Sequence, residues 1–292
     1  MNSGKVVVVT GASSGFGRLI VETLARNGYR VFATMRDVRT RNARAAAEFE
    51  ALARSEGLAL HALEIDVTDE DSVLRGIDEV IARYGRIDVL VNNAGGGIID
   101  LAETVTTEQA QRLFDTNFFG VLRMNRAVLP AMKRQGSGLL LHVSSGAGRL
   151  AIPAMGLYCA SKFALEALAE VYRYELAALG IDSVIVEPGA YPTPIMAKLG
   201  PGEDPARRSD YGDVAGFPEK LAARLASSKA NPQEIADSVL TIIATPAGER
   251  PLRSRVAAAD LGVSRINALT DEVQAQLLGA FGLTATTASR AP

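Results

Sequence analysis

Tyr158 and Lys162 lie four residues apart, a spacing that places both side chains on one face of a helix. A free phenol has a pKa near ~10, too high for proton exchange at neutral pH, but a nearby cation stabilises the phenolate. At about 4 Å and an effective dielectric of about 20, that attraction amounts to about 4 kcal/mol. The pair could act as an acid/base unit, the alternative being a surface tyrosine beside a solvated lysine.

The residues around this pair favour a helix over 156–179. Between Gly156 and Gly180 the chain has no Gly or Pro, and it is rich in Ala, Leu, Glu and Lys. Apolar residues recur at helical spacing, namely Phe163, Leu165, Ala167, Leu168, Val171 and Leu176. Cys159 follows the tyrosine but points elsewhere on such a helix, so we expect it to pack in the interior.

The N-terminal segment predicts a nucleotide site. The β-branched run of residues 5–10 indicates a buried parallel strand, and it leads through Gly11-Ala-Ser-Ser-Gly15-Phe-Gly17 into a helical pattern over 18–27. Glycines allow a tight turn close to a pyrophosphate, and the helix N-terminus offers unpaired N–H groups. The usual fingerprint is G-x-G-x-x-G, whereas here the glycines run G-x-x-x-G-x-G. Taken alone, the motif leaves open a simple strand-to-helix turn.

Together the two motifs resemble the short-chain dehydrogenase/reductase family, which combines T-G-x-x-x-G-x-G with Y-x-x-x-K; the resemblance covers about residues 4–195. It implies a catalytic tetrad of Asn117, Ser145, Tyr158 and Lys162, with Ser145 lying 13 residues before Tyr158. The expected cofactor-binding residues are Gly11, Ser13, Ser14, Gly15, Phe16, Gly17, Arg36, Asp66, Val67, Asn93, Ala94, Gly95, Tyr158, Lys162, Pro188, Gly189 and Thr193.

Several of these assignments rest on position after a predicted strand. Asp66 and Val67 stand where the family's aspartate contacts adenine, and Asn92-Asn93-Ala94-Gly95 matches the family's N-N-A-G. The segment from Pro188 to Thr193 matches the P-G-x-x-x-T that lies over the nicotinamide in the family. The resemblance therefore implies a site distributed over many strand ends.

The reaction implied by the resemblance is hydride transfer between the nicotinamide and a carbonyl or alcohol carbon. Tyr158 would exchange the proton with the substrate oxygen, and Ser145 would hydrogen-bond that oxygen. Lys162 would lower the pKa of the phenol and bind the nicotinamide ribose, and Asn117 would support a water chain. The two histidines, His61 and His142, fall on strand-like runs. With two histidines and one cysteine we expect no metal site.

The end of the second strand decides the predicted cofactor. NAD-preferring relatives carry an acidic residue there, whereas this chain has Met35 followed by Arg36. A guanidinium can pair with the 2′-phosphate, so we expect NADP(H), with NAD(H) as the alternative. Asp37 leaves that choice open, because its carboxylate could neutralise Arg36.

Strand-like and helical runs alternate along the chain, which predicts a doubly wound parallel α/β sheet of the Rossmann type with helices on both faces. The predicted strands are 6–9, 30–34, 59–65, 89–91, 139–143, 183–186 and 252–257. We expect one dinucleotide-binding and catalytic domain over 1–260, including a loop-like substrate lid over 193–231. A helix over 271–278 and a mobile Ala/Thr-rich tail are expected within 261–292.

Composition fits a globular enzyme. The chain has 292 residues, 48% of them apolar, and a net charge of −2 from 31 basic and 33 acidic residues. That balance gives no reason to expect a nucleic-acid partner. No apolar run approaches about 18 residues and no signal peptide is evident, so we expect no membrane partner and a cytoplasmic location. The single cysteine cannot form an internal disulfide.

The segments around Tyr158 and around Met35 are similar to steroid and retinol dehydrogenases, which implies a bulky apolar ketone or secondary alcohol as substrate. Two other functions remain open, a catalytically silent NADP(H)-binding sensor or scaffold and a sugar-nucleotide epimerase or dehydratase. The second usually carries G-x-x-G-x-x-G and a larger substrate domain. The family's dimer-forming helices carry surplus apolar residues here, which predicts a homodimer or homotetramer.

Overall fold

A computed structural model describes residues 4–193 and 199–283 of the chain. Its sheet has seven parallel strands in the spatial order β3-β2-β1-β4-β5-β6-β7. The strands are β1 Val6–Val9, β2 Arg30–Met35, β3 Leu60–Glu64, β4 Val89–Asn92, β5 Gly138–Val143, β6 Ile181–Pro188 and β7 Arg253–Val256. The predicted doubly wound parallel fold in a single domain is confirmed, and every predicted strand is present within two residues of its expected start.

Nine α-helices connect and flank these strands in the described ranges. They are α1 Gly15–Arg26, α2 Ala43–Glu56, α3 Glu70–Tyr84, α4 Thr107–Phe114, α5 Gly120–Gln135, α6 Gly156–Leu176, α7 Phe217–Ala226, α8 Gln233–Ala244 and α9 Val263–Ala280. A π-helical turn, Asp115–Phe119, joins α4 to α5, and a 3₁₀ segment, Pro205–Gly216, precedes α7.

Two cores sandwich the sheet, because successive strand residues point to opposite faces. Val7 and Val9 pack with α1, α2 and α8, whereas Val6 and Val8 pack with α3, α5 and α6. All four valines are fully buried, and burial of each such side chain contributes about 1.5–3 kcal/mol. Because the strands are buried on both faces, their sequences are continuous apolar runs. The same packing holds in place the strand ends at which the site residues lie.

Two expectations for the C-terminal third were wrong in extent. The helix expected over 271–278 is α9, Val263–Ala280, which begins two turns earlier because Val263 and Asn267 are buried against the domain. The stretch from 205 to 226, expected to be loop, is helical, because α7 packs Leu221 into an apolar cluster. Residues 194–198 of the expected lid and 284–292 of the expected tail lie outside the described residues.

No helix in the described part of the chain is both long enough and apolar enough to span a bilayer.

Candidate active site

The glycine turn after β1 has the shape that its sequence predicts. Gly11 and Gly15 adopt φ angles of +66° and +59°, in the left-handed region that favours glycine. A Cβ on Gly11 would lie 2.7 Å from the Cα of Ala94, so the turn passes directly over the end of β4. A Cβ on Gly17 would lie 2.5 Å from the carbonyl oxygen of Gly11. Gly17 therefore allows α1 to pack against the turn, behind its open side.

Thr10 and Asn93 join the glycine turn to the end of β4. The Thr10 hydroxyl accepts hydrogen bonds from the backbone N–H groups of Asn93 and Ala94, both at 3.0 Å. The Asn93 amide donates to the Thr10 carbonyl oxygen at 2.8 Å. Two segments about 80 residues apart in sequence thus form one floor, as parallel strands with a common carboxyl edge require.

A groove of about 260 Å³ runs along this edge of the sheet. Of the predicted cofactor residues, it is lined by Gly11, Ser13, Ser14, Gly15, Phe16, Arg36, Asp66, Val67, Asn93, Ala94, Gly95, Tyr158, Lys162 and Thr193. Lining residues that the sequence did not assign to the cofactor are Met35, Arg41, Asn42, Ile65, Thr68, Gly96, Thr116, Val143 and Ser144. The groove therefore extends from the glycine turn to the Tyr-Lys pair.

Five predicted site residues do not line the groove: Gly17, Asn117, Ser145, Pro188 and Gly189. Pro188 is the last residue of β6, and a Cβ on Gly189 would lie 2.7 Å from the Cβ of Ala257 beside β7. The contact of Gly17, Pro188 and Gly189 with a cofactor stays a prediction.

One end of the groove is basic. Arg36 and Arg41 both line it next to Met35, and the Asn42 amide donates to the Arg36 carbonyl oxygen at 2.6 Å. Asp37 has a φ of +53°, and its carbonyl oxygen accepts from the Asn42 N–H at 2.9 Å. Within the described residues no ion pair joins Arg36 to Asp37, so the Asp37 carboxylate does not pair with the Arg36 guanidinium. Two exposed guanidiniums therefore face this end.

The Asp66 carboxylate, further along the wall, is held in one orientation. Its Oδ1 accepts from the backbone N–H of Thr68 at 2.9 Å and from the Thr68 hydroxyl at 2.8 Å. This turn presents Asp66 and Val67 to the groove beyond β3.

Asn117 lies in the π-helical turn and is fully buried. Its Oδ1 accepts from the Gly96 N–H at 2.9 Å, and its amide donates to the Gly96 carbonyl at 3.0 Å and to the Ser161 hydroxyl at 3.0 Å. Both amide hydrogens are thus used. The side chain clamps the loop after β4 to α6, and its support of a water chain stays a prediction.

Helix α6 places Tyr158 and Lys162 side by side. The Lys162 Nζ lies 5.9 Å from the centre of the Tyr158 ring and donates to the Val143 carbonyl oxygen at 2.9 Å. Burial lowers the pKa of Lys162 to about 8, an effect that Glu166 opposes. Burial raises the pKa of Tyr158, and the Ser145 hydroxyl opposes that rise. Burial therefore favours the neutral form of both groups, and the expected lowering of the phenol pKa by Lys162 stays a prediction.

Ser145 begins the short 3₁₀ turn Gly146–Gly148, and its hydroxyl accepts from the Ala147 N–H at 3.1 Å. The strand end before it and this turn leave the hydroxyl close to the phenol, which is the position that the spacing to Tyr158 implies.

An apolar wall adjoins the phenol. Cys159 is buried here with Ile99, Met155 and Leu221, as expected for a packing residue. The partly buried members of the same cluster are Ile152, Tyr158, Leu199, Phe217, Ala222 and Leu225. The segment from 199 to 226 thus contributes much of the apolar surface near Tyr158.

Neither histidine lines the groove. His142 is fully buried, and burial lowers its pKa to about 3, so it is neutral. The His61 Nε2 on β3 lies 2.9 Å from the Tyr84 hydroxyl at the end of α3. Across residues 4–193 and 199–283, no group of three or more His, Cys, Asp or Glu side chains is arranged to hold a metal ion.

This fold and groove define a doubly wound α/β protein of the Rossmann type. The family model described as short chain dehydrogenase matches residues 5–204, and the chain belongs to the short-chain dehydrogenase/reductase family. It is accordingly an oxidoreductase that acts on CH–OH or C=O groups.

Two curated relatives and one solved structure illustrate the similarity. The chain is 32% identical to 3-ketodihydrosphingosine reductase of Bacteroides thetaiotaomicron over 86% of this chain and 87% of the relative. It is 37% identical to 17-beta-hydroxysteroid dehydrogenase type 1 of Homo sapiens over 82% of this chain and 74% of the relative. A short-chain dehydrogenase structure from Streptomyces avermitilis superposes with a TM-score of 0.74 at 33% identity, covering 95% of this chain and 96% of the other.

Proposed function

We propose that this protein transfers a hydride between NADP(H) and a bulky apolar ketone or secondary alcohol. The observation that carries the proposal is the groove itself, which runs from the glycine turn to Tyr158 and Lys162. The glycine turn, with positive φ at Gly11 and Gly15, leads into the N-terminus of α1, where unpaired N–H groups favour a pyrophosphate. The residues present therefore fit a dinucleotide.

The four side chains of the proposed tetrad have different tasks. Tyr158 gives its phenolic proton to the substrate oxygen during reduction and takes it back during alcohol oxidation. Ser145 donates a hydrogen bond to that oxygen and fixes its position. Lys162 binds the nicotinamide ribose and favours the phenolate, while Asn117 holds the loop at Gly96 against α6. The nicotinamide, when bound, supplies or accepts the hydride.

The substrate class follows from the apolar wall beside the phenol. Leu199, Phe217 and Leu225 extend it from the segment that we propose as a lid, residues 193–231. Asp100, buried to 2% exposure, anchors this segment by accepting from the Gly202 N–H at 2.8 Å and from Arg208 at 2.9 Å. Such a wall favours a substrate with a large hydrocarbon body, of the kind named in the sphingosine-related and steroid relatives.

A panel of apolar ketones and secondary alcohols, assayed with NADPH, NADH and their oxidised forms by nicotinamide absorbance, tests this function. Turnover of bulky apolar members with NADP(H) supports it. Tight NADP(H) binding without turnover of any member would identify a silent sensor or scaffold. Conversion of a sugar nucleotide without net change in the cofactor would identify an epimerase.

Arg36 is expected to set the cofactor preference. The wild type should bind NADPH at least about tenfold more tightly than NADH, since a hydrogen bond between charged groups contributes about 1.5–3 kcal/mol. Arg36→Ala should remove most of that difference, as measured by fluorescence titration with both cofactors. Arg44→Ala is the matched control, because the Arg44 guanidinium lies outside the groove and pairs with Glu48 at 2.8 Å. Equal binding of both cofactors by the wild type would contradict the assignment.

A homodimer is the expected minimum assembly. The proposed interface includes Phe119, Phe163 and Val171, which are 47%, 43% and 45% exposed on α6 and the turn before α5. Light scattering at micromolar concentration should give twice the chain mass, and Phe163→Glu should shift that mass towards the monomer. Leu269→Glu, on the exposed side of α9, should leave it unchanged. A wild type that is monomeric at this concentration would overturn the expectation.

A further inference from the structure

A buried cluster of charged side chains lies behind the Ser145 turn. Glu166 on α6 and Glu187 on β6 are 1% and 0% exposed. Between them the Arg253 Nε lies 3.2 Å from Glu166 Oε2 and 3.6 Å from Glu187 Oε1. The other Arg253 nitrogens pair with Glu170 at 2.5 Å and with Asp271 of α9 at 3.0 Å. Charges this deep are costly unless they are paired, and replacing one member of such a cluster leaves an uncompensated buried charge.

The cluster contacts the turn that carries Ser145 at both of its ends. The Ser144 hydroxyl donates to Glu166 Oε1 at 2.8 Å, and a Cβ on Gly148 would lie 2.6 Å from that same oxygen. Beyond the turn, Arg149 donates to Asn267 Oδ1 at 2.8 Å and lies 3.9 Å from Glu166 Oε2. Movement of the Glu166 carboxylate would therefore move the residues on both sides of Ser145.

Glu166 also acts on the proposed catalytic lysine. It follows Lys162 by one helical turn on α6, and its carboxylate raises the pKa of Lys162 against the lowering effect of burial. The other titratable groups around Lys162 are Tyr158 on the same helix and neutral His142 on β5. The carboxylate that favours the charged lysine is thus the one that holds Ser144.

Several elements packed around Glu166 contribute charges. The facing groups are Lys162 and Glu170 on α6, Glu187 on β6, Arg253 on β7, Arg149 after the Ser145 turn and, through Arg253, Asp271 on α9. Burial, followed by the nearby Glu187 carboxylate, raises the pKa of Glu166, while Ser144 and the two arginines oppose the rise. Its ionisation is therefore sensitive to the state of this cluster.

We propose that Glu166 is a positioning residue, which holds the Ser144 side of the catalytic turn in place and keeps Lys162 charged at the pH of turnover. The inference rests on the proposed function, because it assigns Glu166 a role through Ser145 and Lys162. Through Arg253 and Arg149 it also makes α9 part of the support of the site.

Glu166→Gln tests the charge. The amide keeps the acceptor for Ser144 but removes the negative charge, so Lys162 should lose its proton at lower pH. NADPH affinity, measured by fluorescence titration from about pH 6 to 10, should then decline at a pH lower by about one unit than in the wild type. Glu170→Gln is the matched control, since it also removes a carboxylate from Arg253 but lies one turn further from Lys162. Superimposable profiles for Glu166→Gln and the wild type would overturn the proposal.

Glu166→Asp tests the positioning and does not depend on Glu166→Gln folding. It keeps the charge but shortens the arm, so the hydrogen bond from Ser144 is lost. We expect kcat to fall about tenfold with NADPH affinity and its pH profile unchanged. A kcat equal to that of the wild type would exclude the positioning role. Failure of the proposed function looks different, because the wild type itself would then show no turnover.

Discussion

Tyr158→Phe is expected to lower turnover by about 10²–10⁴-fold while leaving the fold and NADPH affinity nearly unchanged. The substitution keeps the ring and its packing against the apolar wall that Met155 and Leu199 help to form. It removes the proton that we assign to the substrate oxygen. The loss should therefore appear in kcat. Steady-state kinetics with the best ketone of the panel, together with NADPH titration, measures both quantities.

The control for this variant is Tyr174→Phe. Tyr174 lies on the same helix, and its hydroxyl donates to Glu170 at 2.8 Å, away from the groove. Loss of that hydroxyl also removes one hydrogen bond, yet it should leave kcat within about twofold of the wild type. A Tyr158→Phe protein that kept more than about a tenth of the wild-type rate would exclude the general-acid role and favour the silent binding protein.

The positions of the strand ends could be predicted, because strands buried on both faces have continuous runs of apolar residues in the sequence. Residues 6–9 are four consecutive valines, and 139–143 are nearly all branched and apolar, so both segments could be placed as central parallel strands. Once the strands are placed, the common carboxyl edge brings together Gly11, Asn93 and Ser144, which are far apart in sequence. The groove floor follows from topology alone.

Other parts of the site have no such signal in the sequence. Arg41 lines the groove because the chain turns back after Asp37. The φ of Asp37 is +53°, and nothing in the sequence predicts that conformation. Glu166 looks like an ordinary polar residue of a helix, and its burial depends on Arg253, 87 residues later, and on Arg149. Long-range ion pairs of this kind have no local periodicity, so sequence reasoning missed the cluster.

The C-terminal third shows the same limit. The sequence predicts that α9 begins at 271, because its first two turns include polar residues, one of which, Asn267, is buried in the structure. Asn267 is buried by hydrogen bonds from its amide to both Glu187 oxygens, at 3.1 and 2.8 Å. A pattern of apolar residues does not identify a buried asparagine such as Asn267 as part of the core. The predicted start of α9 therefore lies too late in the sequence.

Lys162→Ala is expected to lower the rate and the cofactor affinity together, which distinguishes it from Tyr158→Phe. Lys162 is 5% exposed, and in the proposed site its ammonium contacts the nicotinamide ribose. Loss of one hydrogen bond to a charged group should weaken NADPH binding by about tenfold or more, at about 1.5–3 kcal/mol. Loss of the cation beside the phenol should lower kcat by about 10²-fold, because the phenolate is then less stable.

The pH dependence of alcohol oxidation should shift to higher pH in Lys162→Ala. In alcohol oxidation the phenolate must accept a proton, and the pKa of Tyr158 is already raised by burial. Without the Lys162 ammonium that pKa should rise further, so the remaining oxidation activity should increase only at higher pH than in the wild type. Lys133→Ala, which removes an exposed lysine at the end of α5, should change neither the pH profile nor the affinity. Unchanged NADPH affinity in Lys162→Ala would exclude the ribose contact. A rate loss with an unshifted pH profile would show that Lys162 does not stabilise the phenolate.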